Sequence, residues 1–141
     1  MIVYLVRHAT AGHRASWDGD DDSLRPLDER GRRQAEALVE LLGARDFERI
    51  LSSPAVRCVD TVVPLADARG LAVEPSGALA EGAGREAALA LFRATGGPLV
   101  ANVHGDMVDE LIGEHAKKGS TTVLEVGPDG VEILERIPPQ A

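Results

Sequence analysis

One cysteine in 141 residues, Cys58, leaves no disulfide framework and fits a reducing compartment. Aromatic residues make up 3% of the chain, too few for the stacking platforms on which single-strand nucleic-acid binders rely. Positive charge is also short: 15 Lys and Arg against 23 Asp and Glu give a formal net charge of -8. Phosphate backbones and acidic membranes need the opposite sign, so neither nucleic acid nor membrane is expected as a general partner. Long apolar runs are missing too. The first, Ile2-Val3-Tyr4-Leu5-Val6, follows no basic segment and is cut by Arg7. It therefore reads neither as a secretory signal nor as a membrane span, and the expected setting is the cytoplasm. What remains is an ordinary globular composition, 44% hydrophobic and 27% charged, at a length that suits one domain over residues 1–141 with a three-layer core.

The run Ile2–Val6 reads as a strand buried on both faces, and it stops at Arg7-His8. Strand and helix signals then alternate. Asp28 caps a helix with Ala35, Leu38, Val39 and Leu42 on one face, and Gly43 stops it. Ile50-Leu51 form a short strand, after which Ser53 as cap and Pro54 as first helical residue start a second helix. Pro64 is expected to kink or interrupt that helix before Gly70 ends it, and Leu71–Glu74 reads as a strand. A third helix spans about Arg85–Thr95, and Leu99–Val103 is a strand ending at His104-Gly105-Asp106. The following helix carries Val108, Leu111, Ile112 and His115 on one side. Thr121–Val126 and Val131–Ile137, joined by Gly127-Pro128-Asp129-Gly130, read as a β-hairpin. This order implies an α/β fold: a three-layer α/β/α sandwich with a mostly parallel central sheet and a C-terminal hairpin.

Parallel strands deliver the residues that follow them to one sheet edge, where open α/β folds bind ligands. Arg7 and His8, Arg57 in the first turns of the second helix, and His104 all fall there. Two arginines and two histidines around one spot suit phosphoryl transfer, which needs a positioned nucleophile and neutralised oxygens. Arg7-His8 alone is equally well a surface strand end; the arrival of Arg57 and His104 tips the balance.

The segments Leu5-Val6-Arg7-His8-Ala9, Arg25-Pro26-Leu27-Asp28-Glu29-Arg30-Gly31, Ser52-Ser53-Pro54-Ala55-Val56-Arg57 with Thr61, and Val103-His104-Gly105 resemble the histidine phosphatase superfamily. The short chain is most similar to the small SixA-type phosphohistidine phosphatases within that phosphoglycerate mutase-like family. It also resembles the phosphatase domain that follows a Nudix domain in some bacterial proteins. The resemblance implies an α/β sandwich and a metal-free, cofactor-free reaction through a phosphohistidine. It implies His8 as nucleophile, Arg7 and Arg57 as phosphate ligands, and His104 as a hydrogen-bonding partner of the transferring group. Larger relatives add an acidic proton donor, for which Glu81 is the nearest candidate, with a loop glutamate as the plain alternative. Arg14 and Arg25 are candidates for widening the anion site.

Rival chemistries fare worse. A cysteine phosphatase needs an arginine six positions after its cysteine, and Pro64 stands there, so Cys58 reads as a packing thiol. A metal site from His8, His104, Asp106 and Asp109 would set arginines beside a cation. A phosphate-binding module without activity has little need for both histidines. His13 reads as a solvated loop side chain, His115 as a packed helix residue, and Asp18-Gly19-Asp20-Asp21-Asp22 as a solvated loop. The expected substrate is phosphohistidine on a protein, with a nucleotide or another small phosphate ester as the alternative; oligomeric state is left open.

Overall fold

The computed structural model describes residues 1–140. Six strands form one sheet in the order β3-β2-β4-β1-β5-β6. These are β1 (Ile2–Arg7), β2 (Arg49–Ser52), β3 (Val73–Pro75), β4 (Leu99–Val103), β5 (Thr121–Val126) and β6 (Val131–Ile137). The first four are parallel, and β5 and β6 add an antiparallel hairpin beside β1. The helices are α1 (Glu29–Leu42), α2 (Val56–Arg69), α3 (Arg85–Thr95) and α4 (Gly105–Ile112). The α/β class, the mostly parallel sheet and the terminal hairpin are as the alternation implied.

Alternate side chains of β1 feed two cores, which is why it is apolar at every position. Val3 and Leu5 pack with Leu89 and Phe92 of α3 and Met107 and Leu111 of α4. Tyr4 and Val6 pack on the opposite face with Leu38 and Leu42 of α1 and Val62 and Leu65 of α2. Asp28 caps α1 as expected, its side chain accepting from the Gly31 N–H. Gly31 is required by closeness rather than flexibility: a Cβ there would lie 1.9 Å from the Thr10 carbonyl oxygen, so α1 seats directly on the chain leaving β1.

Four local expectations are corrected. Helix α2 begins at Val56, with Ala55 as cap and no side-chain cap bond; Ser53 lies before it, its hydroxyl 2.8 Å from His104 Nε2 and accepting from the Ala55 N–H at 3.4 Å. Pro64 lies inside an uninterrupted α2. The carbonyl four residues back that Pro64 cannot bond belongs to exposed Asp60. Strand β3 starts at Val73 because Leu71 still closes the helix end, its N–H donating to the Ala66 carbonyl past left-handed Gly70. Helix α4 stops at Ile112 with left-handed Gly113 as cap, so His115 lies beyond it in an exposed loop.

Candidate active site

Strand register builds the site. Arg7 pairs with Val103 across β1 and β4, and Ser52 with Asn102 across β2 and β4. The pairing runs one residue further: the His8 N–H donates to the Val103 carbonyl and the Ser53 N–H to the Asn102 carbonyl, both at 3.0 Å. His8, Ser53 and His104 are thereby held side by side on one sheet edge. The two imidazole centroids are 5.6 Å apart with rings inclined at 67°.

His8 is buried, and its Nδ1 lies 2.8 Å from the carbonyl oxygen of Ala9. A carbonyl only accepts, so the neutral ring is assigned its proton on Nδ1 and keeps a lone pair on Nε2. Burial pushes the His8 pKa down to about 3; the Ala9 bond opposes the fall, and positive charge at His104, Arg57 and Arg7 adds to it. The backbone under this ring is tied to α2. The Ala9 N–H donates to Thr61 Oγ1 (2.9 Å), whose hydroxyl donates to the Arg57 carbonyl (2.7 Å).

His104 stands at the N-cap of α4, its Nε2 2.8 Å from Ser53 Oγ. On its other side, Nδ1 lies 3.4 Å from Arg57 Nη2 and 3.6 Å from Glu81 Oε2. Burial first and Arg57 next lower the His104 pKa, against Glu81 and Asp106. Arg7 lies against the first turn of α4. Its Nη1 donates to the Ala116 carbonyl, and a Cβ at Gly105 would come within 2.8 Å of its Cζ. A glycine after His104 is what lets this guanidinium into the site.

Arg57 is almost fully buried, its Nη1 donating to the Asp22 carbonyl oxygen at 2.9 Å. The Asp22 carboxylate gathers three arginines: Arg25 Nε at 2.9 Å, Arg57 Nη2 at 3.3 Å and Arg14 Nε at 3.3 Å. Its pKa is held down, chiefly by the Arg25 bond. Glu81 accepts from Arg14 at 2.8 Å and lies 3.4 Å from Arg57. An open cavity of about 760 Å³ lies between these groups.

All seven candidates, Arg7, His8, Arg14, Arg25, Arg57, Glu81 and His104, line that cavity. Arg25 is buried rather than superficial, with Nη1 on the Ala11 carbonyl. Asp22 leaves the solvated acidic loop to bind arginine, and Asp21 caps a short 3₁₀ turn through the Ser23 N–H. Asp106 accepts from the Gly82 N–H. Among the described residues no group of three His, Cys, Asp or Glu is arranged to hold a metal ion. Cys58 is buried with Sγ 3.5 Å from His104 Nε2, and burial pushes its thiol up to about 12. Sequence reasoning missed Ser53, Asp22, Lys118 and His115 as site residues. Only register, for Ser53, offered a signal; the others depend on loop paths.

Comparison with known proteins gives the family and the fold. Residues 3–89 match the family model of the histidine phosphatase superfamily (branch 1). The 8-oxo-(d)GTP phosphatase of Mycolicibacterium smegmatis is 37% identical over 143 aligned residues, covering 88% of this chain and 44% of that protein. The chain thus spans less than half the length of that curated relative. The tungstate complex of the protein histidine phosphatase SixA superposes with a TM-score of 0.78 over 98% of this chain and 97% of that one, at 21% identity. A candidate SixA phosphohistidine phosphatase from Agrobacterium tumefaciens gives 0.78 over 98% of both chains at 27% identity.

Proposed function

The chain belongs to the histidine phosphatase superfamily, branch 1, and on that premise we propose that it hydrolyses phosphate through a phosphohistidine formed on His8. One observation carries the reading: a buried neutral imidazole, with Nδ1 engaged by Ala9, offers Nε2 at a cavity walled by Arg7, Arg57 and His104. Nε2 attacks phosphorus, and the bond from phosphorus to the leaving group breaks. Arg7 and Arg57 hold the equatorial oxygens, and His104 hydrogen-bonds the group in flight. Glu81, 3.6 Å from His104 Nδ1, is the candidate proton donor to the leaving group. Water then attacks phospho-His8, releasing phosphate and restoring the neutral ring. The roles require no metal and no cofactor.

Two substrate classes fit the open mouth, each with its own support. Phosphohistidine on a protein is supported by the A. tumefaciens likeness along the whole chain. It also needs little acid assistance, because an imidazole leaves more easily than an alkoxide. A nucleotide phosphate is supported by the 37% identity to the 8-oxo-(d)GTP phosphatase.

The test is initial rates for wild type and His8→Asn on p-nitrophenyl phosphate, a phosphohistidine protein and nucleoside di- and triphosphates, with and without chelator. The expected result is a loss of ~10³-fold or more in the variant on every substrate turned over, with no effect of chelator. Full activity in His8→Asn would defeat the mechanism. Retained phosphate binding without turnover in wild type would leave a binding module.

A further inference from the structure

The cations of this site fall into two sets. Arg14, Arg25 and Arg57 are each within ion-pair distance of Asp22, and Arg14 and Arg57 also of Glu81. Across the cavity, Arg7 and Lys118 have no carboxylate within ion-pair distance among the described residues. Burial first and the charges of Arg7, Arg25 and Arg57 next lower the Lys118 pKa, against Asp28, and Lys118 lines the first cavity. It therefore faces the same anion site rather than bulk solvent.

That side opens into a second cavity of about 660 Å³ that shares Arg7, Gly12, His13, His115 and Lys118 with the first. Its own wall adds Arg30, Lys117 and Gln34. Asp28 is its one acid, and that carboxylate is occupied by Thr10 Oγ1 and the Gly12 and Gly31 N–H groups. Gln34 is buried; its Oε1 accepts from the Thr10 N–H, while its Nε2 has no hydrogen-bond partner. A chain with a net charge of -8 thus sets Arg7, Lys117 and Lys118 around one groove beside His8, with Asp28 as the single carboxylate in its wall. Local cations against an opposing global field are what capture of an anion requires.

We propose that this groove, floored by Lys118 and continued by Lys117, binds a second phosphate joined to the transferred one that Arg7 and Arg57 hold. The inference rests on the phosphatase reading and deepens its second substrate class: the preferred small substrate carries a di- or triphosphate chain rather than a lone phosphate. The first phosphate sits against His8, and its neighbour takes the lysines that line this groove. A patch of acidic side chains on a protein is the competing occupant, and the experiment separates the two.

Dissociation constants for inorganic phosphate, tripolyphosphate and a short polyglutamate peptide are measured by calorimetry on the whole chain. The proteins are wild type, Lys117→Met, Lys118→Met and the conservative Lys117→Arg, with melting curves to confirm folding. Tripolyphosphate is expected to bind wild type ~10-fold or more tightly than phosphate. That ratio should collapse at least ~5-fold in each Met variant and recover in Lys117→Arg. A wild-type ratio near one, or a ratio that neither Met substitution moves, overturns the proposal. Polyglutamate binding as tightly as tripolyphosphate, with the same losses, assigns the groove to protein and overturns it too. Calorimetry needs no turnover, so a chain that binds tripolyphosphate this way yet hydrolyses nothing fails the phosphatase reading alone.

Discussion

Lowering the pH is the sharpest perturbation of the His8 environment. The ring is held neutral in the fold with a pKa of about 3, against an ordinary value of 6.5 in the unfolded chain. Between those values the unfolded chain binds a proton that the folded one refuses. Stability therefore falls as pH drops from about 6.5 toward 3, and is fully retained above that window. Moving from pH 7 to pH 5 takes the system about 1.5 pK units below the unfolded value, which amounts to about 2 kcal/mol from this one group. Burial also lowers the His104 pKa, so its contribution has the same sign and must be subtracted. The assay is equilibrium urea unfolding of wild type and His8→Asn at both pH values in phosphate-free buffer. The amide keeps a donor for the Ala9 carbonyl but does not titrate. Wild type should lose about 2 kcal/mol more than the variant between pH 7 and 5, a difference of about 1 M in midpoint at ordinary slopes. Equal pH dependence in the two proteins would show that His8 is free to ionise in the fold. It would refute the reasoning that makes its Nε2 a standing nucleophile.

Other substitutions test the neighbours of that ring. Ser53→Ala removes the closer partner of His104 Nε2 (2.8 Å) and leaves only the weak Cys58 sulfur at 3.5 Å; kcat should fall ~10-fold or more, and the weakened buried contact should cost about 1 kcal/mol in urea unfolding. Gly105→Ala places a methyl 2.8 Å from Arg7 Cζ; steady-state kinetics should show kcat/KM down ~10-fold or more on every substrate, because the guanidinium must leave its place. Asp22→Asn removes the carboxylate shared by Arg14, Arg25 and Arg57; product inhibition should show phosphate binding a few-fold more tightly, since a competing anion is gone.

Much of this arrangement is legible in the chain. The apolar run Ile2–Val6 and the run Leu99–Val103 announce buried parallel strands, and parallel strands fix which end carries Arg7, His8 and His104. Helix α1 follows from its Asp28 cap and its apolar face, and α3 from its periodicity between glycines. What escaped has physical causes. Ser53 is a residue type that caps helices, yet the helix starts three residues later and the Ser53 hydroxyl reaches a buried imidazole as well as the Ala55 N–H. Asp22 sits in an acidic run that looks solvated. Only the path of the loop, which brings it over Arg57, turns a surface charge into the partner of three arginines. His115 and Lys118 follow a helix that ends one turn earlier than its apolar pattern suggested, and Gly113 sets that end by adopting a left-handed conformation. Local pattern reports elements well; it does not report where a loop returns.

The central claim is a covalent bond between phosphorus and His8. The direct measurement is rapid quenching of the whole chain during turnover of a phosphorus-labelled substrate, followed by peptide mapping by mass spectrometry under alkaline conditions that preserve phosphohistidine. The account predicts label on the peptide bearing His8, on a histidine nitrogen, labile to acid and absent from His8→Asn. Steady turnover with no label on that peptide, or turnover undiminished in His8→Asn, would contradict it.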